Sequence, residues 1–153
     1  MGRRGSQKIF KNTEEMKSYF ADTNFYLRFI LKDNQNQAEE SKKFLARAKN
    51  GEIKIIFLPE VIFEMEFVLR SVYSLSKKEV VKYLLPLIKT DYLEIQDREI
   101  WLVAFKIFQE KSFPLFDIFL FLKAKRKEGE VLSFDKDFKK LKKFFNEKNY
   151  YPY

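Results

Sequence analysis

From residue 16 onward the chain alternates short runs of β-branched and aromatic residues with longer stretches in which apolar side chains return every three or four positions. The first pattern suits buried strands and the second amphipathic helices. SYFAD (18–22), EIKIIFL (52–58), YLEI (92–95) and EVLSF (130–134) read as strands. A helix sets in toward the end of TNFYLRFIL (23–31), and QAEESKKFLARAKN (37–50) forms another, closed by Gly51. PEVIFEMEFVLRSVY (59–73) carries proline in its first turn, where a missing N–H costs nothing. In SKKEVVKYLLPLIKT (76–90), Ser76 and Glu79 make a capping box, and Pro86 is expected to kink or shorten the helix. DREIWLVAFKIFQEK (97–111) is capped by Asp97. FPLFDIFLFL (113–122) continues into KAKRKE as a helix ended by Gly129, and DKDFKKLKKFF (135–145) is a short basic helix. Strands alternating with helices predict an α/β domain with a central, mainly parallel sheet of four to five short strands flanked by helices.

Residues 1–15 lack this periodicity and read as a loose N-terminal extension, with Met16 opening the patterned domain, 16–153. At 153 residues, 46% apolar and with 18 phenylalanines, the chain is long enough for one well-filled core. No segment approaches the length of a membrane span, and no apolar leader is visible, so the expected compartment is the cytoplasm.

Two absences narrow the chemistry. Without cysteine there is no disulfide framework, thiolate nucleophile or zinc–thiolate site. Without histidine there is no imidazole base or ligand, and no Ser-His-Asp triad. Proton chemistry is left to carboxylates, lysine, tyrosine or metal-bound water. A histidine-free and cysteine-free carboxylate site favours hard cations, Mg²⁺ or Mn²⁺. The net charge of +8 points to a polyanionic partner such as nucleic acid or an acidic membrane surface.

Four acids stand out. Asp117 is the one charged residue in FPLFDIFLFL, and a carboxylate among apolar side chains costs several kcal/mol unless it is paired, hydrogen-bonded or cation-bound. Asp22 and Asp135 each end a strand, at the sheet edge where α/β sites form. Glu64 falls between two apolar surfaces on a wheel of residues 59–73, with Val61, Met65, Val68 and Val72 on one side and Phe63 and Phe67 on another. Each also fits a plainer role. Asp22, Asp117 and Asp135 could be helix N-caps, and Glu64 could sit at the rim of the core. Glu66 and Arg70 read as an exposed i,i+4 pair. If the four acids converge they need a countercharge. A divalent ion supplies it, activates water and stabilises a phosphodiester under attack.

The order DTN, PEVIFEMEFVLRSVY, FPLFDIFLFLKAKRKEG, VLSFDKDF resembles PIN-domain ribonucleases, and among them the VapC-type toxins of toxin–antitoxin pairs, over residues 16–145. The resemblance implies a PIN-like fold and an acidic, metal-binding and catalytic quartet of Asp22, Glu64, Asp117 and Asp135, supported by Asn24 and by Ser133, where the family usually has threonine. It further implies endonucleolytic cleavage of RNA with Mg²⁺ or Mn²⁺, a homodimer, and a cognate antitoxin whose tail enters the catalytic groove. Asp137 is a fifth acid better suited to capping or solvent, and Arg70 and Tyr73 match family positions with structural roles. Pro114 replaces a usually acidic residue and Ile118 a usually small one, changes that bear on helix entry and the surroundings of Asp117.

Between Lys123 and Lys148 there are ten Lys/Arg and five acids. Lys123, Lys125, Arg126 and Lys139 are candidate RNA contacts, with a solvated helix face as the plainer account. Other readings are a PIN-type nuclease of RNA maturation or of DNA, a non-catalytic nucleic-acid-binding protein on this fold, and a peripheral membrane protein, for which no amphipathic anchor is evident.

Overall fold

A computed structural model describes residues 16–148. The expected extension at 1–15 lies outside the described residues. Three short strands, β1 (Ser18–Phe20), β2 (Lys54–Ile56) and β3 (Leu93–Glu94), form a parallel sheet in the order β1-β2-β3, with Tyr19 opposite Ile55 and Ile55 opposite Leu93. Seven helices flank it among the described residues: α1 (Thr23–Leu31), α2 (Gln35–Lys49), α3 (Pro59–Ser71), α4 (Lys77–Lys89), α5 (Arg98–Glu110), α6 (Leu115–Arg126) and α7 (Asp137–Glu147). None is long and apolar enough to cross a membrane.

The α/β reading holds with three strands rather than four to five. Residues 130–134 form no strand, although their composition is strand-like. The N–H of Gly129 bonds back to Ala124, while the N–H of Asp135 bonds to the Ser133 hydroxyl. The stretch between these fixed ends joins no ladder, and Leu132 and Phe134 are fully exposed. Strand propensity needs a neighbouring strand to be realised.

Local signals placed most helix ends well. Asn34 caps α2, which starts two residues earlier than its periodicity suggested, and Gly51 follows its end at φ 76°. The Ser76–Glu79 capping box is formed, and α4 runs through Pro86 to Lys89 without being shortened there. The whole of 23–31 is helical, ended by Lys32 in the left-handed region. Asp97 occupies the N-cap position of α5 at φ 59° but makes no capping bond with its side chain. Its carboxylate instead meets Lys123 and Arg126 of α6.

Aromatic stacking dominates the core. The Trp101 ring lies 4.2 Å from Phe119 and 5.8 Å from Phe105, and Tyr26 stacks on Phe57 at 4.0 Å. Trp101, Tyr26, Phe57 and Phe105 are fully buried. The Trp101–Phe119 stack joins α5 to α6, and Phe63 of α3 packs on both rings, at 5.0 and 5.5 Å.

Candidate metal centre

α6 starts where proline allows it, with Pro114 at the N-cap. Leu115, Ile118 and Leu122 face the core, at the spacing of one helix face. The approach is pinned from α4, because Lys77 Nζ donates to the carbonyls of Lys111 and Phe113 at 2.9 Å each and lies over the Phe108 ring. Asp117 is therefore delivered in the first turn of α6, half-buried, with the orphan N–H groups of that turn nearby. It is not the cap of this helix.

The second contribution comes from the turn that leads into α7. The Ser133 hydroxyl accepts from the N–H of Asp135 at 2.9 Å, and the Asp135 carboxylate accepts from the N–H of Asp137 at 2.9 Å. Two successive side-chain-to-backbone turns fold 133–137 tightly. They set Asp135 and Asp137 on the same side as Asp117, and each of the three carboxylates offers an oxygen within 4.8 Å of the others. Burial, and then the charges of Asp135 and Asp137, push the Asp117 carboxyl above its ordinary value. The N-terminus of α6 favours negative charge, and burial and the two neighbouring carboxylates act against it.

The other expected acids are not members of this 4.8 Å trio. Asp22, just beyond the carboxyl end of β1, caps α1 by accepting from the N–H of Phe25 at 3.0 Å, and it borders a separate apolar hollow with Phe25 and Phe44. Glu64 is exposed in the second turn of α3, beyond the carboxyl end of β2, and carries no hydrogen bond or ion pair among the described residues. Neither belongs to a group of three or more converging carboxylates among the described residues. Asn24 is exposed beside Asp22. Ser133 supports Asp135 directly. Asp137, assigned by the sequence reading to capping or solvent, is a member of the cluster. The signal for it was the D-K-D spacing, which an Asx turn at Asp135 folds back on itself.

The family model for the PIN domain matches residues 19–144. The chain belongs to the PIN-domain family. Searches of curated proteins and of solved structures returned no significant match. PIN domains are generally nucleases, and in this one the fold brings the carboxylates of Asp117, Asp135 and Asp137 together.

The basic candidates divide. Lys123 and Arg126 are turned to acids of α5, Lys123 to Asp97 and Arg126 to Asp97 and Glu99 at 3.9 and 3.6 Å. These two tie α6 to α5 and are not bare cations awaiting a phosphate. Lys125 lies over the Phe145 ring at 5.0 Å, and Lys139 is exposed. Arg28 is engaged by Asp33 at 2.6 Å, with the Tyr73 hydroxyl donating to the same carboxylate at 3.2 Å. Arg70 meets Glu66 at 3.2 Å, though the Glu66 side chain is largely covered rather than fully exposed.

Proposed function

We propose that this PIN domain is a metal-dependent endoribonuclease that hydrolyses RNA phosphodiester bonds, and that it serves as the toxin of a toxin–antitoxin pair in the cytoplasm. The observation that carries the reading is the convergence of Asp117, Asp135 and Asp137 within 4.8 Å. Three carboxylates at this range repel one another, and Asp117 responds by holding its proton more tightly. A divalent cation removes the repulsion. The donor set, all oxygen and drawn from a chain with no histidine or cysteine, fits Mg²⁺ or Mn²⁺.

Asp117, Asp135 and Asp137 would hold the ion, and Asp22 and Glu64 complete the set of acids in the proposal. Bound there, the ion would supply an activated water and a countercharge for the scissile phosphate. The chain's own parts have separate tasks. Ser133 holds Asp135 through the turn, Lys77 fixes the entry to α6, and the exposed lysines of α7 attract the polyanion. A homodimer and a cognate antitoxin that covers the acidic site belong to the same proposal, on the family resemblance.

The test is incubation of total RNA with the purified chain and Mg²⁺ or Mn²⁺, beside EDTA and an Asp117→Asn variant. Discrete fragments are expected from the wild type alone. Asp117→Asn and Asp137→Asn should each lower the rate about 100-fold or more, beyond the 10–100-fold typical of groups that only support a metal ligand. RNA left intact by folded, metal-supplied wild type would overturn the reading.

A further inference from the structure

Next to the acidic trio lies a cavity of about 300 Å³, bounded by the C-terminal half of α6, residues 129–135 and the first turns of α7. Asp135, Lys125, Lys139, Lys142, Phe121 and Phe138 are among the residues that line it. We propose that this cavity binds one unpaired nucleotide of the substrate strand, next to the phosphate held at the acids. Lys139 and Lys142 would grip its phosphate and Phe138 would stack on its base. The inference rests on the ribonuclease reading and adds to it a nucleotide subsite built from α6, residues 129–135 and α7.

Three observations carry it. Lys139 and Lys142 stand three residues apart, hence on one face of α7. Neither has an ion pair among the described residues, whereas Lys143 on the same helix meets Glu147 at 4.0 Å. Like charges on one helix face repel, and the repulsion is relieved when an anion lies between them. The apolar side of α7 is used up separately, by Leu141, Phe144 and Phe145 in the core, so the orientation of the two lysines follows from the burial of that face. Secondly, the three lysines face two carboxylates, Glu130 and Asp135, and Asp135 is also a proposed metal ligand. The lining is thus net positive by one charge before any cation is bound, and Asp135 joins it to the site proposed for chemistry. Thirdly, the size is at the lower end of small-ligand pockets, which run from about 300 to 1,000 Å³. That suits a single nucleotide, and a base still stacked in a duplex could not enter. Lysines on phosphate with aromatic faces on bases are the sequence-tolerant grip of single-strand binders.

The test measures binding apart from cleavage. A fluorescent, mixed-sequence 12-nucleotide RNA is titrated with the protein in EDTA across a series of salt concentrations and followed by anisotropy. The same RNA annealed to its complement serves as the duplex arm. For single strands each phosphate contact contributes about 0.7 to the slope of log K against log salt. Lys139→Ala/Lys142→Ala should therefore flatten the slope by about 1.4, while Lys82→Ala/Lys89→Ala on α4 leaves it unchanged. Phe138→Leu keeps an apolar side chain but removes the ring face, and should weaken binding about 5-fold to 150-fold, the range of one lost base stack. Circular dichroism checks that each variant is folded. Wild-type slope and affinity in both α7 variants, or equal binding of duplex, overturns the nucleotide pocket even if the wild type cleaves RNA. Conversely, a wild type that binds single strands through these residues and never cleaves RNA keeps the pocket and removes the nuclease reading.

Discussion

Asp117 shows how one side chain can work against the fold that carries it. Burial and the Asp135 and Asp137 carboxylates raise its affinity for a proton in the folded chain. The folded state then binds more protons than the unfolded state once pH exceeds the unfolded value. Stability falls with rising pH through that window and stays lowered above the folded value. Asp117→Asn in metal-free protein is therefore expected to melt higher than wild type at pH 7, and no higher at pH 3, where the carboxyl is largely protonated in both states. Adding Mn²⁺ should raise the wild-type melting temperature and leave the variant unmoved. A variant that melts lower than wild type at pH 7 without metal would show that the carboxylate is stabilising. At the same scale, Asp22 was legible as a helix cap, and the structure keeps it as one. Asp137 was not legible as a site residue, because its place depends on a turn bonded through the side chains of Ser133 and Asp135.

At the scale of elements, helix boundaries followed local chemistry, since capping residues and proline act within a few positions. Pro86 is the informative exception. It lies exposed inside α4, where it denies the Lys82 carbonyl its helical partner, yet the helix continues because Val80, Val81, Leu84, Leu87 and Ile88 are all buried. Tertiary packing outweighs the local break. Pro86→Ala should thus stabilise the protein by about 2 kcal/mol, the gain in helix propensity less the greater freedom of the unfolded chain, read as a higher urea midpoint. An unchanged or lower midpoint would mean that the helix has adapted to the proline. Residues 130–134 show the opposite outcome. Their apolar alternation is as strand-like as that of β2, but β2 lies between two parallel neighbours and this stretch has none.

For the whole molecule, the core explains how the site is held. α6 is fastened by the Trp101–Phe119 stack, by Lys123 and Arg126 to acids of α5, and at its entry by Lys77. Its outer side is less covered. Phe116 and Leu120 on α6 and Phe67 on α3 are exposed at 57%, 37% and 64%, and Phe116 touches Phe63 of α3 at 5.4 Å. An apolar patch spanning two helices is an economical place for the contact of the proposed homodimer. Phe67→Glu is expected to turn a dimer into a monomer in sedimentation velocity, without loss of helicity. A variant that still sediments as a dimer would move the interface elsewhere.

By itself the sequence determined the alternation of helices and strands, most helix ends, and the absence of imidazole and thiol chemistry, and it singled out Asp117 and Asp135 as candidates. These follow from periodicity, capping and the side-chain inventory, all of which act locally or by simple presence. The tertiary structure alone decided which acids meet, which basic side chains are already paired with Asp97 and Glu99, and which line a cavity. Convergence depends on the relative placement of α6, α7 and the turn between them, and that placement is set by long-range packing of Leu122, Leu141 and Phe145 rather than by any neighbour in the chain.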